Sequence, residues 1–192
     1  MFTGKLEQEL NKVVELLLKG KVILYPTDTI WGIGCDATQA KAVQRVFKIK
    51  GRPTEKSVIV LIDSVEKLPE YVKEVPSAAK DFYEQAPGPL TIVFEKGKNL
   101  PKSVLAKDGS VAIRVVRHDF VKELIKRLNK PLVSTSANVT GEPSPIIYSE
   151  ISEKIKEQVD YIVDYDRYKI NATSPSTIIK LDVNNGFVVL RG

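Results

Sequence analysis

The sequence predicts a single α/β domain, and three observations carry that reading. Segments with apolar residues at helical spacing alternate with short apolar runs bounded by glycine and proline. A chain of 192 residues that is 43% hydrophobic suits one compact domain with a real core. Asn184, Asn185 and Gly186 stand between two apolar runs and signal a hairpin, so the last strands are expected to be antiparallel. No repeat, low-complexity stretch or linker divides the chain, and residues 1–192 are read as one domain.

The elements follow in order. Leu6, Leu10, Val13, Val14, Leu17 and Leu18 recur at helical spacing, and Gly20 stops that helix. Residues 21–25 read as a buried strand. Residues 39–49 form a second helix with Val43, Val46 and Phe47 on its apolar side, and 57–62 a second strand. A helix over 78–85 is broken by Pro87, Gly88 and Pro89 before a strand over 90–95. Glycine, proline and lysine between 96 and 107 mark an exposed loop. A strand over 111–116, a helix over 120–128 and a strand over 131–134 come next. A helix near 149–157 and strands near 161–163, 177–181 and 187–190 complete the set, with a mobile surface loop expected between 142 and 149.

Composition narrows the chemistry. The net charge of +5, from 29 Lys and Arg against 24 Asp and Glu, favours polyanionic partners such as nucleotides or RNA. One cysteine, Cys35, excludes an intrachain disulfide framework, and one histidine beside it leaves no zinc cluster. The first eleven residues are charged and lack an apolar signal core. No apolar run approaches the roughly 20 residues of a membrane span. A cytoplasmic protein without membrane contact is the expectation.

Polar residues gather at strand ends. Tyr25, Pro26, Thr27, Asp28, Thr29, Ile30, Trp31, Gly32, Ile33 and Gly34 follow the first strand, and Lys50, Gly51, Arg52 and Pro53 follow the second helix. Ser134, Thr135, Ser136, Ala137, Asn138, Val139, Thr140 and Gly141 follow a third apolar run. Hydroxyls, an amide, glycines and fixed cations at such places suit a phosphate or small polar ligand. Threonine hydroxyls in the first segment are able to donate to a ligand carboxylate or phosphate; taken alone, that segment also reads as an ordinary turn. Asp28 reads as a turn or capping residue rather than a base, and Trp31 as packing rather than a stacking platform. Segment 134–141 also reads as a helix cap and turn. Lys50 and Arg52, beyond the helix in a glycine–proline loop, are placed to converge on phosphate oxygens. Lys41, Arg45 and Lys48 share a helix face and read equally as a solvated surface. His118 reads as a surface or capping residue. No nucleophile elbow, Walker loop or dinucleotide fingerprint occurs, so a serine hydrolase and a Rossmann site are both disfavoured.

Taken together and in order, these segments resemble the YrdC-like threonylcarbamoyl-AMP synthase family. The resemblance runs through Tyr25 and Gly34, Lys50 and Pro53, then Pro87, Gly88, Pro89, Leu90 and Thr91. It continues through Val111, Ala112, Ile113 and Arg114, segment 134–141, and Pro175, Ser176, Thr177 and Ile178, to Arg191 and Gly192. It implies a YrdC-like domain: a twisted mixed sheet flanked by helices, with a basic concave face. It further implies that L-threonine, bicarbonate and ATP, the last with Mg2+, give threonylcarbamoyl-AMP and pyrophosphate. That product feeds a tRNA threonylcarbamoyl transferase complex. The implied catalytic set is Lys50, Arg52, Ser136 and Asn138. The implied nucleotide contacts are Arg52, Lys56, Ser110, Ser134, Ser136, Ser144 and Arg191, and the implied threonine contacts are Thr29, Arg114, Ser134 and Ser176. Trp31 stands where the family has more often a tyrosine, Lys56 and Ser57 depart from its usual sequence, and Leu61 stands where some longer members carry a histidine. The chain ends without the extra C-terminal domain of those longer members.

The implied chemistry agrees with the inventory, because adenylation of a carbamate needs positioning and charge stabilisation more than an enzyme nucleophile. Two alternatives compete. One is a non-catalytic module that binds tRNA or double-stranded RNA through phosphate contacts. The other is a carbamoyl-transfer domain of the hydrogenase-maturation kind.

Overall fold

The computed structural model describes residues 4–51, 58–169 and 175–192. Six α-helices and nine strands alternate along them in the order α1 (Lys5–Leu18), β1 (Ile23–Tyr25), β2 (Gly32–Gly34), α2 (Ala40–Lys50), β3 (Ile59–Ile62), α3 (Leu68–Tyr71), α4 (Ala79–Gln85), β4 (Leu90–Phe94), β5 (Val111–Val115), α5 (Asp119–Leu128), β6 (Leu132–Ser136), α6 (Glu153–Lys156), β7 (Tyr161–Ile162), β8 (Thr177–Leu181) and β9 (Phe187–Arg191). All nine strands form one sheet in the order β7-β1-β2-β6-β3-β5-β4-β8-β9. It is mixed: β1–β7, β3–β5 and β4–β8 are parallel, and the other neighbours antiparallel. The expected antiparallel C-terminal pair is present, with Asn185 left-handed in the turn (φ 68°).

Strand alternation divides the core between the two faces of the sheet. Leu24, Ile33, Val60, Ile62, Ile92, Ile113 and Val133 meet Val43, Val46 and Phe47 of α2 and Tyr83 of α4 on one face. On the other, Ile23, Tyr25, Leu61 and Leu132 meet Leu10, Val13 and Leu17 of α1 and Phe120, Val121, Leu124 and Leu128 of α5. The second cluster takes no residue from β4, β5 or β8, so those strands carry their polar residues toward an uncovered part of the sheet.

Sequence expectations fail at three elements. Strand β2 was hidden by its glycines, which have low strand propensity; burial of all three residues and pairing on both sides override it. The short α3 has one apolar turn, too little to show a period. Strand β6 continues to Ser136, so the first three residues of the polar segment 134–141 lie within it.

Gly34 is needed because β2 passes so close to β6. A Cβ there would lie 2.1 Å from the Val133 carbonyl oxygen and 2.8 Å from the Tyr25 ring. Neither main chain nor a fully buried ring gives way easily. Gly34→Ala is expected to cost about 3 kcal/mol, at the upper end for overpacking. A Tm lowered by roughly 10 °C in a chain of this size would show it; an unchanged Tm would mean that β2 is free to shift. No helix among the described residues is long and apolar enough to cross a membrane.

Candidate active site

A cavity of about 340 Å³ opens on the uncovered part of the sheet. Its floor is built by alternation: Ile59 of β3, Ala112 and Arg114 of β5, Val93 of β4 and Ile178 of β8 all turn the same way. Thr29 and Gly32 close one end, Ser134, Ser136 and Ser144 lie on a second side, and Ser176, Leu190 and Arg191 form the far wall. The opening is thus lined by hydroxyls and two guanidiniums over an aliphatic floor.

Arg114 is the centre of this arrangement. It is almost fully buried on an interior strand, beside Leu61 of β3 and Thr91 of β4. Its Nη1 donates to Thr29 Oγ1 at 3.1 Å, and its Nη2 lies 3.3 Å from Asp28 Oδ1. Its Nε has no protein partner among the described residues. The hydroxyls beside it are ordered. Thr27 Oγ1 donates to the Ile30 carbonyl at 2.8 Å and accepts the Thr29 N–H at 3.0 Å. A hydroxyl has one hydrogen, so in the 2.9 Å Thr27–Thr29 contact Thr29 is the donor, and it accepts from Arg114. The expectation that these threonine hydroxyls donate to a ligand anion is therefore corrected. Their hydrogens point inward, and the guanidinium donor left without a partner among the described residues is the buried Arg114 Nε.

The far wall is coupled to the floor. Thr91 and Ser176 share a hydrogen bond at 2.8 Å, and the Ser176 carbonyl accepts from Arg191 Nε at 3.1 Å and Nη2 at 2.8 Å. Burial, and then the charge of Arg114, hold the Arg191 guanidinium below its ordinary value. Two like charges facing one cavity repel, and an anion between them removes that repulsion.

Lys50, Ser136 and Asn138 also come together. Lys50 is the last residue of α2, where the loop beyond the helix was expected to begin; Gly51 (φ 56°) caps the helix in the left-handed region. The Lys50 side chain is 2% exposed. Its Nζ donates to the Ser136 carbonyl, to the Asn138 carbonyl at 2.8 Å, and to Ser136 Oγ and Asn138 Oδ1 at 3.3 Å each. The Lys50 carbonyl in turn accepts the Thr140 N–H at 2.9 Å. Asn138 Nδ2 donates to the carbonyls of Val139 and Glu142. Lys50 thus brings a buried positive charge to the loop after β6 and fixes its main chain, while Asn138 ties that loop to itself.

Of the other expected site residues, Thr29, Ser134, Ser144, Ser176 and Arg191 line the cavity. Ser110 does not. It shares the cavity face of β5, but its N–H is held by Asp108 and its carbonyl by Ala106 in the preceding turn. Arg52 and Lys56 lie outside the described residues. Cys35 is in the core, where burial pushes its thiol up. His118 holds the expected cap position before α5 but makes no side-chain cap bond, and it is buried rather than on the surface. Burial keeps its imidazole below the ordinary value despite Asp166 Oδ2 at 3.3 Å. The cavity hydroxyls have neither imidazole nor carboxylate partners among the described residues, and with the two guanidiniums they suit an anion rather than a histidine-activated nucleophile.

Sequence reasoning gave Thr91 no role of its own. It is buried and had a signal, a hydroxyl inside an otherwise apolar strand.

A family model named Sua5/YciO/YrdC and described as telomere recombination matches residues 15–192. A protein of Pseudoalteromonas translucida named threonylcarbamoyl-AMP synthase is 38% identical over 91% of this chain and 93% of its own length. The structure of Pyrococcus abyssi Sua5 complexed with L-threonine superposes with a TM-score of 0.86 at 31% identity, over 96% of this chain and 54% of that one. This chain therefore spans about half of the Pyrococcus protein. Escherichia coli YciO superposes with a TM-score of 0.83 at 26% identity, over 98% of this chain and 90% of its own.

Proposed function

The chain belongs to the Sua5/YciO/YrdC family, and we propose that within it this protein is a threonylcarbamoyl-AMP synthase acting as a nucleotidyltransferase. The observation that carries the reading is the pairing of Arg114 and Arg191 across a hydroxyl-lined cavity, in a chain whose relative holds L-threonine. The ammonium of L-threonine and bicarbonate form a carbamate, with loss of water and a proton. A carbamate oxygen attacks the α-phosphorus of ATP, the P–O bond to the leaving group breaks, and pyrophosphate departs. No enzyme nucleophile takes part in either step.

Arg114, held in place by Thr29, pairs with the threonine carboxylate from the cavity floor. Arg191 and Ser144, at the far wall and rim, face the nucleotide. Lys50 shapes the loop that presents Ser136 and supplies fixed positive charge behind it, which opposes the charge developing on phosphate oxygens. Arg52 and Lys56 are proposed nucleotide contacts on the strength of the family pattern alone. Among the described residues no cluster of three His, Cys, Asp or Glu side chains could hold a metal ion. Mg2+ would enter with ATP and be held mainly by phosphate oxygens and water. The product would be passed to a tRNA threonylcarbamoyl transferase complex.

Pyrophosphate release is expected to need ATP, L-threonine and bicarbonate together, and no tRNA. Equal release without threonine would remove the reading. Turnover with carbamoyl phosphate in place of threonine would favour a carbamoyl-transfer domain, and tight tRNA binding with no turnover a binding module.

A further inference from the structure

We propose that Asp28 is a positioning residue that holds the Arg114 guanidinium in the orientation which receives the threonine carboxylate; the inference rests on the function proposed above. Asp28 stands between two cavities. It does not line the 340 Å³ opening but a neighbouring space of about 250 Å³, together with Arg117, His118 and Asp166. It is therefore placed behind Arg114, out of reach of the reacting atoms, and does not serve as their base. One of its oxygens, Oδ2, accepts the Arg117 N–H at 3.0 Å. That bond comes from main chain three residues beyond Arg114, so it ties the carboxylate to the same segment as the guanidinium. The other oxygen, Oδ1, is buried, 3.3 Å from Arg114 Nη2, without hydrogen-bond alignment to any donor.

The guanidinium is thus held at both ends of its fork. Thr29 Oγ1 fixes Nη1, Asp28 opposes Nη2, and Nε is buried without a hydrogen-bond partner among the described residues. A planar group held at two corners has one orientation, so the third donor direction is set before ligand arrives. Thr29 alone would leave the plane free to turn about a single hydrogen bond.

Two effects of removing the charge oppose one another, and this makes the role testable. If Asp28 acted through its charge alone, its loss would make the cavity more positive and tighten both ATP and the threonine carboxylate. If it positions Arg114, its loss weakens L-threonine and leaves ATP, whose proposed contacts lie at the far wall, nearly untouched.

Asp28→Asn keeps the shape and an acceptor for Arg117, and Asp28→Ala removes both. In the full chain, with folding checked by thermal melt, L-threonine is titrated at saturating ATP and bicarbonate, and ATP at saturating threonine. The expected result is a KM for L-threonine raised roughly tenfold to a hundredfold in both variants, the size of effect that misplacing a reacting group produces. The KM for ATP is expected to stay within about twofold, since its proposed partners lie beyond the reach of the change. An unchanged or lowered threonine KM would overturn the proposal. So would equal weakening of both substrates, or loss of the fold in both variants, because each makes Asp28 a general structural residue. If the unaltered protein releases no pyrophosphate, the synthase reading fails on its own. Calorimetric binding of L-threonine to the same three proteins then still decides whether Asp28 orients Arg114.

Discussion

Arg114→Lys will lower kcat/KM for L-threonine by roughly 10²- to 10³-fold, the range for loss of one preorganised donor to a charged group. Arg114 does three things at once: it donates to Thr29, faces Asp28 and lines the cavity. A lysine ammonium keeps the charge but loses the planar fork, so it satisfies Asp28 or the ligand, not both in fixed geometry. Pyrophosphate release with threonine titrated is the measurement. A variant within about threefold of the unaltered protein would mean that charge alone suffices and that the fork does not act as a clamp.

Lys50→Met will lower turnover by roughly a hundredfold and also destabilise the fold. The methionine keeps most of the apolar stem, so the loss isolates the ammonium. Buried carbonyls of Ser136 and Asn138 lose their donor, at about 1–3 kcal/mol for each group left unsatisfied. The loop after β6 then relaxes, and Ser136 relaxes with it. A urea midpoint and the turnover number, measured on the same preparation, separate the two effects. Lys41→Ala provides the contrast: this residue is exposed on α2, and its loss should leave both quantities unchanged. Arg45 is not equivalent to Lys41, because it reaches Asp160, whose carboxylate also accepts the Val22 N–H. Its removal should loosen the join between α2 and the β7 edge without touching the cavity. Equal modest defects at Lys41, Arg45 and Lys50 would instead describe a diffuse basic surface.

Much of this was legible in the sequence, for identifiable reasons. Helices α1, α2 and α5 announced themselves because each buries one broad apolar stripe. Strands β4, β5 and β8 did so because their apolar residues alternate or run together. The separate segments carrying Thr29, Arg114, Ser134, Ser176 and Arg191 were recognisable one by one, and the sheet order makes them neighbours. Direction was not legible. Whether Lys50 points at ligand or at its own main chain depends on where the loop after β6 passes, 86 residues later. Whether a threonine hydroxyl gives or receives depends on what occupies its other side, which was a carbonyl at Ile30. Asp28 looked like a turn residue because its partners, Arg114 and Arg117, come from the other end of β5 and the segment beyond it.

The two guanidiniums of the cavity sit on strands of unlike stiffness. Arg114 belongs to β5, which is bonded to β3 on one side and β4 on the other. Arg191 belongs to β9, which among the described residues has β8 as its only neighbour in the sheet and whose residues 187–190 are each more than half exposed. A strand held along one edge deforms at less expense than one held along both. The cavity therefore has a rigid jaw and a compliant one. On the proposed assignment, demands of exact shape fall on the Arg114 side, where a small amino acid is to be told from its neighbours. Changes of length and charge during the proposed reaction, as a triphosphate becomes a monophosphate, would be absorbed on the Arg191 side.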